Sequence, residues 1–226
     1  MNQDVTYEQP ASFSLSKVFA WMFLALGVTA LTAYGFAALL GMGFISPDAY
    51  LIVLGVSVVL MFIESFVIQY RVIRNHKSMI VPFIIYAITM GFMMSSIILV
   101  VDSMYLILAF CVSAGLFGIM ALYGYTTKRS LNRMGSVAFM LLAGSLLISL
   151  FNIFIGSSEV DWIVSFVSFA AIMLFVSVDM WRLKSIINSG VDSPNICMYC
   201  AFQLYIDFIY IFMRVLSFII RYTNNN

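Results

Sequence analysis

Seven stretches of this chain are each about 20 residues long and almost free of charge, the length that crosses the hydrocarbon of a bilayer as a helix. They run approximately over residues 18–40, 49–70, 79–101, 104–123, 135–155, 162–180 and 196–220. Nothing else in the sequence constrains its fold so strongly. A backbone surrounded by lipid must satisfy its own N–H and C=O groups, so runs this long are helices and not open strands. The expected fold is an all-α membrane protein of seven transmembrane helices. A tail over residues 1–16, holding Asp4 and Glu8, precedes the helical domain at 17–222, and 223–226 follow it. The third and fourth spans are parted by little more than Asp102-Ser103, which implies a tight turn. The first sixteen residues lack a basic stretch of the kind that opens a secretory signal, so the first span is expected to stay in the protein.

Composition supports this reading. Of 226 residues 63% are hydrophobic and 9% charged, too few charges to clothe a water-soluble domain. A net charge of +1 with no basic stripe offers nothing to nucleic acid. No internal repeat stands out, which disfavours transporters built from inverted halves.

The charges that remain are sorted by position. Lys17, Arg71, Arg74, Lys77, Lys128, Arg129, Arg133, Arg182 and Lys184 fall on one set of alternate connections, nine of the eleven basic residues. The other connections carry Asp48, Asp102, Glu159 and Asp161, with no lysine or arginine. The positive-inside rule then puts the N-terminus in the cytoplasm and the C-terminus outside, with Arg221 as the exception. Tyr70, Tyr123, Tyr125, Trp162, Trp181 and Tyr222 fall near span ends, where aromatic anchors belong. Ala33, Ala37 and Gly41 form a small-residue face on the first helix, and Gly115 with Gly118 suggests another on the fourth.

Four charges lie within spans: Glu64, Asp179, Asp207 and Arg214. An unpaired charge at mid-bilayer costs about 2.5–3.5 kcal/mol on insertion scales, so such groups face the bundle and have partners. Arg71 closes the second span, and Glu64 lies seven residues, about 10 Å, deeper. Asp179 is expected near the end of the sixth helix and Asp207 about 16 Å into the seventh. Carboxylates that share a dry site resist full ionisation. The cluster thus reads as a proton sensor, a divalent-cation site or both, with calcium suited to oxygen ligands. The plainer alternative is that each charge caps a helix or fixes packing.

Catalysis has little support. There is no HExxH motif, and the only histidine, His76, lies in a connection, so neither zinc hydrolysis nor a serine–histidine pair can be assembled. The last span has no lysine for a retinal Schiff base. Cys197 and Cys200 have metal or redox spacing without a second pair, and with Cys111 they are expected to be small packed residues.

Three segments carry a resemblance. Leu204-Tyr205-Ile206-Asp207-Phe208-Ile209, Val178-Asp179-Met180-Trp181-Arg182-Leu183-Lys184, and Tyr123 to Leu131 followed by Gly135 resemble signatures of the Bax inhibitor-1 family. It is also called the transmembrane Bax inhibitor motif family, and the likeness is to its bacterial YccA- and YetJ-like branch. The resemblance implies a central seventh helix surrounded by six others and a pH-sensitive calcium leak. In it Asp179 and Asp207 form the sensing and gating pair, with Arg71 linked to them. Relatives in the family also imply a second reading, a non-transporting regulator that binds other membrane proteins such as a protease. A proton-coupled transporter is a third. The chain departs from the pattern in Tyr210-Ile211-Phe212, in Arg214, and in a longer connection over 188–195. Arg214 stands where it could neutralise the acids or block a cation path.

Overall fold

The computed structural model describes residues 14–73, 79–190 and 193–224. Arg74, His76, Lys77, the acids Asp4 and Glu8, and the ends of the chain lie outside the described residues. Seven helices account for nearly all the rest: α1 (Leu15–Gly41), α2 (Pro47–Ile73), α3 (Ile80–Val100), α4 (Ser103–Thr126), α5 (Asn132–Ile155), α6 (Ser158–Asn188) and α7 (Pro194–Asn224). Each is long and apolar enough to cross a membrane, and there is no strand among the described residues.

The turns follow from local chemistry. Pro47 and Pro194 open α2 and α7, where a missing N–H costs nothing. The Asp102 carboxylate accepts from the Met104 N–H at 2.8 Å and starts α4 two residues after α3 ends. Ser157 caps α6 by accepting from Val160 N–H at 3.3 Å. Before it, Gly156 ends α5 at φ 70, a left-handed conformation suited to glycine.

Hydropathy marks where lipid ends, not where a helix ends. α6 runs on to Asn188, well past the expected limit at residue 180. Asp179 is therefore nine residues, about 13 Å, inside the end of its helix rather than near that end. The expected 188–195 connection shrinks accordingly, since Asn188 closes α6 and Pro194 opens α7. Arg182, Lys184 and Ser185 are poor in lipid but sound in a helix, so α6 continues until Gly190 turns the chain at φ 70.

α7 is the most deeply buried helix. It packs chiefly on α1, α4 and α6, with smaller contacts to α2 and α3. α5 packs on α6, and α2 on α3; both turn large apolar side chains outward, such as Phe62, Phe66, Phe139 and Phe154. Outward phenylalanine is what a lipid solvent permits.

The close approaches occur at glycines other than those singled out by spacing. A Cβ on Gly91 of α3 would stand 2.6 Å from Thr32 Cβ and 2.8 Å from the Thr29 carbonyl oxygen of α1. A Cβ on Gly124 of α4 would strike the Ser177 carbonyl of α6. Ser177 Oγ reinforces that contact by donating to the Met120 carbonyl at 3.1 Å. By contrast Gly41, Gly115 and Gly118 are exposed with nothing near them, although Ala33 and Ala37 are buried. Four-residue spacing defines a face without saying whether it meets a helix or lipid.

Gly124→Val is expected to cost about 1–3 kcal/mol by forcing α4 from α6. Gly115→Val should be nearly neutral. Thermal melting of the two variants in detergent measures the difference, and equal melting would refute this account of the α4–α6 contact.

Candidate functional site

The buried face of α7 is unusually polar for a membrane core. Tyr205 is fully buried, and its hydroxyl pairs with Thr29 Oγ1 of α1 at 2.7 Å. The same threonine oxygen donates within reach of the Ala25 carbonyl at 2.9 Å and the Ala87 carbonyl of α3 at 3.0 Å. Phe83 and Tyr86 of α3 set ring edges against Tyr205, at 5.6 and 6.2 Å between centroids. This knot of α1, α3 and α7 fixes the rotation of α7 two residues before Asp207.

Asp207 is 8% exposed, and its Oδ2 is buried with no hydrogen-bond partner among the described residues. The charged group acting on it is Asp179 of α6. Asp179 has a side chain 9% exposed and meets Arg182 Nη1, one turn on, at 3.3 Å. Arg182 is about half exposed. Tyr199 and the buried Cys200 lie within electrostatic reach of Asp179, and Tyr210 within reach of Asp207. The site is thus an acidic pair with one half-exposed counter-charge on Asp179.

Of the other expected members, Glu64 and Arg214 have different neighbours. Arg71 is half-buried in the last turn of α2. Glu64 accepts a hydrogen bond from Thr89 Oγ1 of α3 at 3.0 Å, while its Oε2 is buried without a partner. Its charged and polar surroundings are Thr89 and Tyr86, not the aspartates. Arg214 does not neutralise the pair: its charged neighbours are Asp161 and Arg221, at the opposite end of α7. It lies seven residues, about 10 Å, beyond Asp207. Arg221, the exception to the charge pattern, is ion-paired with Asp161 and lies over the Trp162 ring at 5.5 Å.

Spacing alone could have added Cys200 and Tyr210, which are seven residues before and three after Asp207 and so share its face. Thr29 carried no such signal, because its partner is 176 residues away.

The pair does not suit resident calcium. Calcium takes six to eight oxygens. Two carboxylates supply at most about four, and among the described residues no three His, Cys, Asp or Glu side chains gather to hold a metal. Cys197 and Cys200 are buried free thiols, and Cys111 is exposed on α4.

A family model described as inhibitor of apoptosis-promoting Bax1 matches residues 12–225, nearly the whole chain. The chain belongs to the Bax inhibitor family. Among its relatives, the Escherichia coli inner membrane protein YbhL is 30% identical over 213 residues, covering 89% of this chain and 88% of the relative. An uncharacterized protein of Rickettsia prowazekii is 27% identical over 229 residues, covering 96% and 93%. Another from Deinococcus radiodurans is 27% identical over 220 residues, covering 96% and 94%. The match therefore runs along the seven-helix body.

A double-mutant cycle on Thr29→Val and Tyr205→Phe is expected to give a coupling of about 0.6 kcal/mol, and at most about 1.7, the range for hydrogen bonds between membrane helices. Unfolding in mixed micelles reads it, and additive losses would show that the knot carries no energy.

Proposed function

We propose that this protein is a multi-pass membrane protein that forms a pH-sensitive leak for cations, calcium among them, around its seventh helix, gated by Asp179 and Asp207. The observation that carries the reading is the unpartnered buried oxygen of Asp207 beside a second carboxylate from another helix. Two acids so placed exchange a proton with solvent at a stated position in the fold. A proton shared between the two carboxylates adds a hydrogen bond between α6 and α7 to their apolar packing. Loss of that proton sets like charges against each other and spreads the helices. Arg182 is the half-exposed counter-charge on Asp179.

Calcium is cargo in this scheme, not a bound cofactor. Beside α7 lies a mostly apolar cavity of about 280 Å³ lined by Leu26, Met94, Phe110, Phe208 and Phe212. Such a mostly apolar lining replaces little of an ion's hydration, so an ion path is not formed through it. The reading requires no catalytic group. Arg71 would act from the end of α2 as the linked charge, and Glu64 as a separate acid between α2 and α3.

The N-terminus is assigned to the cytoplasm. Nine basic residues favour it, and the tenth, Arg221, is compensated by Asp161.

Flux through liposomes tests the gate. Wild-type calcium efflux should change with pH between acidic and neutral buffers. Asp207→Asn mimics the protonated acid, so its efflux should hold at the wild-type acidic level at every pH. An unaltered pH profile in a folded Asp207→Asn protein sinks the gating pair. Absence of flux from the wild type at any pH, with a membrane protease co-purifying, favours the regulator instead. Orientation has its own test. A membrane-impermeant maleimide added to intact cells should label Glu159→Cys and leave Arg129→Cys unlabelled, and the reverse result inverts the topology.

A further inference from the structure

Arg214 is the charge that the gating scheme leaves unused. It is half-buried and makes no hydrogen bond or ion pair with another described residue. Among the described residues the acid acting on it, Asp161, is already held by Arg221. Two guanidinium groups therefore face one carboxylate, which leaves one positive charge unmatched in a membrane-embedded place. Groups of this kind normally pair, because isolation in a low dielectric is costly.

The arginine opens onto a groove of about 540 Å³ between α2, α3 and α7. That volume is within the roughly 300–1,000 Å³ of small-molecule sites. Its walls are mostly long apolar side chains, Met61, Phe62 and Met93 among them, while Ser217 lies one turn from Arg214. Val58 and Phe62 on its rim are 41% and 67% exposed, so the groove opens sideways to the bilayer rather than into the bundle. An amphipathic ligand with one negative end and a long apolar body matches both features.

We propose that this groove binds an anionic phospholipid, its phosphate held by Arg214 and Ser217 and its acyl chain lying along α2 and α3. Depth is consistent with this. Arg214 lies seven residues, about 10 Å, inward of Arg221, and a guanidinium on its long stem reaches back toward the headgroup level. The charges within electrostatic range of it, Asp161 and Arg221, stand toward that end of the helix. Guanidinium and phosphate form charge-assisted hydrogen bonds, and the net charge of the lipid cancels the surplus that Asp161 leaves. The ligand is unconnected with the aspartate pair, so the site stands whether or not the protein conducts.

The full-length protein in detergent is titrated with phosphatidylglycerol or phosphatidylcholine and followed by thermal melting and native mass spectrometry. Phosphatidylglycerol should raise the melting temperature more than phosphatidylcholine does, and one lipid should remain bound. Arg214→Gln should weaken phosphatidylglycerol binding about tenfold or more, with Arg214→Lys between it and the wild type. Val58→Trp fills the groove from its rim and should abolish binding with the arginine intact. Equal shifts from both lipids overturn the proposal, as does an undiminished phosphatidylglycerol shift in Arg214→Gln. A larger shift from oleate than from phosphatidylglycerol also overturns it, since a carboxylate would then be the occupant. If Arg214→Gln does not fold, an unchanged phosphatidylglycerol shift in Val58→Trp overturns it alone.

Discussion

The polar groups on the inward face of α7 must be answered from inside the bundle, because the hydrocarbon of a bilayer answers none. That constraint organises the molecule. Tyr205 is met by Thr29, and Thr29 in turn by carbonyls of its own helix and of α3. Asp207 is met by another acid rather than by a base or a donor. A hydrogen-bonded knot thus fixes the helix rotation, while two residues further on a destabilising group is held in place by it. Strained sites persist where the surrounding structure overdetermines them, and here the overdetermination is the α1–α3–α7 contact.

Close helix approach does the same work by steric means. Gly91 lets α1 settle on α3, and Gly124 lets α4 settle on α6. Consecutive helices α3 and α4, joined by a two-residue turn, contribute little contact to each other. The chain therefore builds α1–α3 and α4–α6 as separate groups, and α7 joins them through α1, α4 and α6. A change at the contact of α7 with α6, where Asp179 and Asp207 meet, bears on how one group sits against the other. The placement of an acidic pair at that seam, rather than within either group, is the physical argument for a moving part there.

Much of this was legible in the sequence, and the reasons differ by feature. Span number followed from hydropathy because lipid imposes length directly. Asp179 and Asp207 were legible because an ionisable residue in a span is rare enough to stand out. Helix ends were not, since Arg182 to Asn188 leave lipid without leaving the helix. Packing glycines were not, because Gly91 and Gly115 differ only in what faces them. Glu64 looked like a third member of the acid cluster by depth, yet it belongs to Thr89 of α3. Depth along a helix is one coordinate; which neighbour a side chain meets depends on a second, the rotation of the helix, which sequence spacing does not supply.

The charges inside the spans then separate by what compensates each. Glu64 takes a hydroxyl and keeps one oxygen bare. Asp207 has Asp179 as its charged neighbour, and Asp179 has a half-exposed arginine, Arg182. Arg214 has a carboxylate within range that another arginine already occupies. Each arrangement is incomplete in a different way, and the incompleteness indicates its complement. An acid beside an acid lacks a positive charge, which a proton supplies. An arginine in an apolar groove lacks an anion, and the groove's opening toward lipid determines where that anion comes from. The two sites therefore call for different solutes from different phases, and this is why the second is not a lesser copy of the first.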